Sequence, residues 1–118
     1  PADGLVAGIG SVNGHLFKAD NRVMVIGYDY TVLAGTQGAR NHAKQDRMFS
    51  LAKRLKLPVI LFGEGGGGRP GEDPGGIEVG IDTNTFTRYA QLSGLVPLVA
   101  IVNGRCLLGI PRWLLLAT

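Results

Sequence analysis

The segment Gly63-Glu64-Gly65-Gly66-Gly67-Gly68-Arg69-Pro70-Gly71 is where this sequence could do chemistry. Glycine loses more conformational freedom on folding than any other residue, so four in a row need a reason. Two uses fit. Either the backbone bends through positive φ, or a ligand approaches its bare N–H groups closely. Bare N–H groups aimed at one point also make an oxyanion hole, which stabilises charge developing in a transition state. The alternative is a slack surface loop. The apolar run Val59 to Phe62 just before the glycines, and the charges of Glu64 and Arg69 around them, favour a built loop.

Other chemistries fit less well. Gly63, Gly65 and Gly68 satisfy G-x-G-x-x-G after a strand. A dinucleotide fold needs a helix to open within that motif, and Pro70, Gly71, Pro74, Gly75 and Gly76 forbid one. A phosphate-binding P-loop needs Lys-Ser/Thr where Arg69-Pro70 stands. His15, His42 and Cys106 are too widely spaced to suggest a metal site. Cys106 is expected to be a buried small residue rather than a nucleophile. His15 is expected to be exposed, His42 to be solvated or locally bonded off the apolar stripe of its helix, and Tyr28, Tyr30 and Trp113 to be core.

These residues need elements to position them. Leu5 to Val12 is apolar with Gly8 and Gly10 interleaved, a strand or a β-turn-β start, and Asn13-Gly14 is a hairpin turn signal. Arg22 to Tyr28 is a buried strand, and Thr31 to Ala34 continues strand character as far as Gly35. Gln37 to Lys56 is a helix with Thr36 as N-cap and an apolar stripe of Met48, Leu51, Ala52 and Leu55. Lys53, Arg54 and Lys56 fall in its last turns, where cations suit the helix dipole. Val59 to Phe62 and Pro97 to Val102 are short apolar strands. Asp82 or Thr83 caps a second helix, with Phe86, Tyr89 and Ala90 on one face and Gly94 as its stop. Strands that are apolar on both faces and alternate with helices predict an α/β fold, a mostly parallel sheet covered by helices.

Composition sets the outer limits. The 118 residues suit one domain, and only 18% of them are charged against a usual ~25%. Low charge and 19 glycines suggest a compact core that expects partner subunits to cover it. The net charge of +3 is spread along the chain, and with 7% aromatic residues it makes no nucleic-acid footprint. One cysteine rules out an internal disulfide and is consistent with the cytoplasm. No basic-then-apolar leader opens the sequence, and the apolar stretch Trp113 to Ala117 is far shorter than the ~20 residues that span a bilayer.

Several motifs in order then narrow the field. They are Asp29-Tyr30-Thr31-Val32-Leu33-Ala34-Gly35-Thr36-Gln37-Gly38, Asn41-His42-Ala43-Lys44 with Asp46-Arg47-Met48, Leu57-Pro58-Val59 leading into Glu64 to Pro70, Ser93-Gly94-Leu95-Val96-Pro97, and Asn103-Gly104-Arg105-Cys106. Over roughly residues 3 to 109 they resemble, collinearly, the carboxyltransferases of biotin-dependent acyl-CoA carboxylases. The resemblance implies a crotonase-type ββα superhelix. It also implies transfer of a carboxyl group from carboxybiotin, carried by a partner domain, to the α-carbon of an acyl-CoA. Set against the family, residues 1–118 would be a single partial N-terminal domain, truncated at both ends. Leu107-Leu108-Gly109-Ile110-Pro111 departs from the family's small residues and helix.

The same resemblance implies roles for residues. Carboxyl transfer passes through an enolate, so two preorganised donors should face the thioester oxygen. One would be the backbone N–H of Gln37, and the other would come from Gly67 or Gly68. Gly35, Thr36, Gly38, Gly66 and Arg69 would line the CoA side. Arg69 would either pair with Glu64 across the loop, the preferred role, or meet a CoA phosphate. No side-chain nucleophile and no metal are needed, since biotin is the expected base. Expected partners are acyl-CoA, the biotin carboxyl carrier and biotin carboxylase components, and further copies in a homo-oligomer. The alternative is a non-catalytic crotonase-like piece acting through subunit association. A hydratase or hydrolase would need an acid at the thioester, for which Glu64 is the candidate.

Overall fold

The computed structural model describes residues 3–69 and 84–106. Four strands form one sheet in the order of the chain: β1 (Leu5–Ser11), β2 (Arg22–Tyr28), β3 (Val59–Gly65) and β4 (Leu98–Cys106). β1 and β2 are an antiparallel hairpin, while β2, β3 and β4 run parallel. Two parallel pairs require two crossovers. Helix α1 (Ala39–Leu55) lies within the first, and helix α2 (Asn84–Ala90) within the second. The alternation expected from the sequence is therefore present.

Strand register explains the core. Met24, Val59 and Leu98 lie side by side across three strands, and Ile26, Leu61 and Ala100 form the next row. Apart from the half-buried Ala100, these side chains are buried and face Phe49 and Ala52 of α1 and Tyr89 of α2 in one cluster. The Phe49 and Tyr89 rings tie the helices together, with centroids 5.1 Å apart and planes tilted by 52°. That tilted contact suits the ring quadrupoles.

The opposite face of the sheet is equally apolar. Val6, Gly27, Phe62 and Ile101 form one row across all four strands, and Gly8, Val25, Ile60 and Val99 the next. No helix among the described residues covers them. Val6 is 64% exposed, Val99 47% and Phe62 44%.

Several expectations need correction. Thr31 to Ala34 is not strand. Leu33–Gly35 forms a tight 3-10 turn in which Leu33, Ala34 and Gly35 all have positive φ. The cap of α1 is Gly38, not Thr36, so the helix starts later than Gln37. Its buried face is Asn41, His42, Gln45, Phe49 and Ala52, while Met48 and Leu51 flank it and Leu55 is 41% exposed. The apolar stripe of the sequence is displaced because the N-terminal half of that face is polar. His42 is buried, with Nδ1 3.2 Å from the Thr85 hydroxyl of α2. Tyr28 is core, but Tyr30 is 39% exposed. β4 runs through Asn103-Gly104 to Cys106 instead of stopping at Val102. The expected cap at Asp82 or Thr83, the loop beyond Arg69, Trp113 and the sequence from Leu107 lie outside the described residues.

Candidate functional site

In a parallel sheet, ligands bind where loops leave the carboxyl ends of neighbouring strands. Here β2 leads into the turn at 29–38 and β3 leads into the polyglycine loop. Because the two strands are adjacent and parallel, both loops emerge at the same edge of the sheet. The N-terminus of α1 opens there as well, immediately after Gly38.

The two loops are in backbone contact. Gln37 and Gly68 form an isolated parallel bridge. The Gln37 N–H donates to the Gly67 carbonyl at 2.8 Å, and the Arg69 N–H donates to the Gln37 carbonyl at 2.7 Å. Next to it, the Gly66 N–H donates to the Ala34 carbonyl at 2.9 Å. The Ala34 carbonyl is turned toward the loop by the left-handed conformation of Leu33 and Ala34, at φ 48° and 55°.

This approach explains the glycines. A Cβ on Gly35 would lie 2.8 Å from the Gly65 Cα and 2.9 Å from the Glu64 carbonyl oxygen, both of them backbone atoms. A Cβ on Gly66 would lie 2.8 Å from the Thr36 methyl group. The glycines therefore allow two turns to touch, and the slack-loop alternative falls.

One of the expected donors is already engaged. The Gln37 N–H is consumed by the bridge to Gly67, and the Gly66 N–H by Ala34, so neither is free for a ligand. Gln37 instead holds the loop. The backbone N–H groups of Gly67 and Gly68 have no hydrogen-bond partner among the described residues. Gly67 is buried at φ +86°, and Gly68 is exposed. Gln37 also buries a side-chain amide whose nitrogen lacks a partner among the described residues.

Arg69 does not pair with Glu64. Its Nη1 meets Asp3 Oδ1 at 2.9 Å, its Nε donates to the Thr36 hydroxyl at 3.1 Å, and its Nη2 donates to the Thr36 carbonyl at 2.9 Å. Asp3 in turn caps α1 from a distance. Its Oδ2 accepts the Asn41 N–H at 2.9 Å, and its carbonyl accepts from the Asn41 side chain at 3.0 Å. Gly38 cannot cap with a side chain, and a Cβ there would come within 3.3 Å of Arg69 Nη1. Nothing in the sequence near residue 3 signalled this role, because a cap is normally sought beside its helix. Glu64 lies against Gly104, leaving no room for a side chain there.

The remaining groups carry little chemistry. Half-buried Cys106 packs on the core, and burial pushes its thiol pKa up, which favours the inert protonated form. His15 is exposed. No cluster of three metal-ligating side chains occurs among the described residues. No helix among them is long and apolar enough to cross a membrane. A shallow groove beside α1 and α2, lined by Phe49, Ser50, Lys53, Arg54, Arg88 and Gln91, lies toward the far end of α1, roughly 15 Å or more from Ala39 along the helix axis.

Comparison with known proteins agrees with the geometry. The carboxyl transferase domain profile matches residues 1–110. The propionyl-CoA carboxylase beta chain of Saccharopolyspora erythraea is 31% identical over 104 residues, covering 88% of this chain and 18% of that protein. The methylmalonyl-CoA carboxyltransferase 12S subunit of Propionibacterium freudenreichii is 32% identical over 111 residues, covering 90% and 19%. The chain thus spans about a fifth of the length of these relatives. The structure of a single-chain, multi-domain long-chain acyl-CoA carboxylase superposes with a TM-score of 0.87 at 52% identity, covering all of this chain and 12% of that one. The expected crotonase-type α/β fold is the fold of these carboxyltransferases. A sheet of this topology, a glycine loop closed on the turn after β2, and a profile match over nearly the whole length place the chain in the carboxyl transferase domain family.

Proposed function

We propose that this chain forms the thioester-binding part of an acyl-CoA carboxyltransferase, with the N–H groups of Gly67 and Gly68 donating to the enolate oxygen. The observation that carries the reading is the closure of the polyglycine loop on Gln37 and Ala34, which leaves those two amides without partners among the described residues. Loss of the α-proton moves negative charge onto the thioester oxygen. Donors already in place there stabilise it without reorganising. The positive end of α1 opens at the same sheet edge and acts in the same direction.

Carboxybiotin, on a partner carrier domain, supplies the carboxyl group and, as the family resemblance implies, the base. Two neighbouring amides suffice for one oxyanion. On this reading the described residues serve the thioester, and the partners are acyl-CoA, a biotin carboxyl carrier and a biotin carboxylase. Replacing Gly68 with proline removes one donor. Isothermal titration should then show propionyl-CoA affinity falling about tenfold, the loss expected for one hydrogen bond to a charge-bearing oxygen. Unchanged affinity, or no binding by the unaltered protein, would sink the reading.

A second reading, association without catalysis, is favoured by the apolar outer face of the sheet, whose proposed occupant is another copy of this chain. Hexamer assembly is described for the 12S relative. Contiguous exposed apolar surface of this kind marks protein contacts. Phe62→Glu, in the middle of a row, should shift light-scattering mass toward the monomer. A monomeric unaltered protein at all concentrations would exclude this occupant.

A further inference from the structure

We infer that Arg69 is a positioning residue, a latch that sets the glycine loop for its ligand, rather than a ligand for CoA phosphate. The inference rests on the thioester reading above and deepens it. Arg69 follows Gly67 and Gly68 directly. Among the described residues its guanidinium meets three groups on two other segments: the Asp3 carboxylate, the Thr36 hydroxyl and the Thr36 carbonyl. Its side chain is only 9% exposed. A phosphate ligand needs an accessible cation with donors turned outward. This cation is turned inward, on a carboxylate that a phosphate would have to displace.

The latch spans the two loops that must converge. Thr36 immediately precedes Gln37, and the Arg69 N–H itself completes the bridge to the Gln37 carbonyl. One planar fork thus fixes the turn after β2, the loop after β3 and, through Asp3 on Asn41, the start of α1. A lysine is a point charge without the fork and cannot serve Asp3 and both Thr36 atoms together.

The test uses two probes that differ only in their phosphates, propionyl-CoA and propionyl-pantetheine. Arg69→Gln should weaken both by the same factor, roughly tenfold or more for loss of charge-assisted hydrogen bonds. Arg69→Lys should not restore them. Asp3→Asn should weaken both in the same way, and the double variant should be no worse than Arg69→Gln alone. Amide exchange at Gln37 and Gly66 should quicken in each single variant. A loss confined to propionyl-CoA would overturn the latch and make Arg69 a phosphate ligand. Should Arg69→Gln fail to fold, Asp3→Asn decides: a carboxylate repels phosphate, so unchanged or tighter propionyl-CoA binding overturns the latch. Absence of thioester binding in the unaltered protein defeats the enolate reading instead. The exchange rates then still judge the latch, and unchanged rates at Gln37 and Gly66 overturn it.

Discussion

Gly35 shows how narrow the tolerance of this site is. Its φ is +64°, and its α-carbon faces the Gly65 and Glu64 backbone at a distance no side chain permits. Alanine there would force a left-handed residue and push apart two main chains that cannot rotate away. Gly35→Ala should destabilise the protein by about 1–3 kcal/mol, seen in urea unfolding, and should also quicken amide exchange at Gly66. The same unfolding curve with unchanged exchange would mean that the turns are not held in contact. At this scale the sequence was partly legible. The glycine run announced a backbone-driven loop because glycine has few other uses. The approach of the Gln37 turn to Gly67 and Gly68 is legible too, whereas the contact of Gly66 with Ala34 is not. Which amides remain free was not legible, because the bridge consuming the Gln37 N–H depends on register between loops some 30 residues apart. The pairing of Arg69 was misassigned for a related reason. Glu64 is near in sequence, while Asp3 is near in space.

At the scale of elements, strands were the more legible. Each carries apolar residues on both faces, and rows such as Met24, Val59 and Leu98 follow once the strands pair. Helix α1 was found, but its inward face was not. Hydrophobic periodicity counts apolar residues only, and the first half of that face is Asn41, His42 and Gln45, side chains that earn burial through hydrogen bonds such as Gln45 to Asn41. The helix ends at Lys56, which has φ 52° and ψ 44° and sends its N–H back to the carbonyls of Ala52 and Lys53. A lysine in left-handed conformation is unfavourable, whereas glycine adopts it freely. Lys56→Gly should therefore raise stability by about 1 kcal/mol, measured as a higher midpoint in thermal unfolding. A lower midpoint would show that the lysine side chain contributes more than its backbone costs.

Across the whole molecule, helices cover one face of the sheet, and the buried tyrosines set its response to alkali. Burial pushes the Tyr89 hydroxyl up to about 12 and raises that of Tyr28 as well. In the unfolded chain both return to ~10. Above that pH the unfolded state has lost protons that the folded state retains, so stability falls as pH rises. Circular dichroism should show the protein holding its stability up to about pH 10 and losing it progressively toward pH 12. With Tyr30, which is exposed, replaced by phenylalanine, tyrosinate absorbance at 295 nm should rise together with unfolding. A rise well before the loss of structure would show that Tyr89 ionises in place.

The Asp3–Arg69 contact joins residues 66 positions apart, and nearly every described element but α2 and β4 lies between them. Such a closure follows the pairing of nearer segments, because long loops are entropically slower to shut. The order of events during folding is thereby constrained: hairpin and helix can form while the proposed grip on the enolate is still missing. Competence arrives late, when the opening residues meet a loop synthesised long after them. In a stopped-flow experiment, recovery of ligand binding should accordingly lag behind recovery of helical signal.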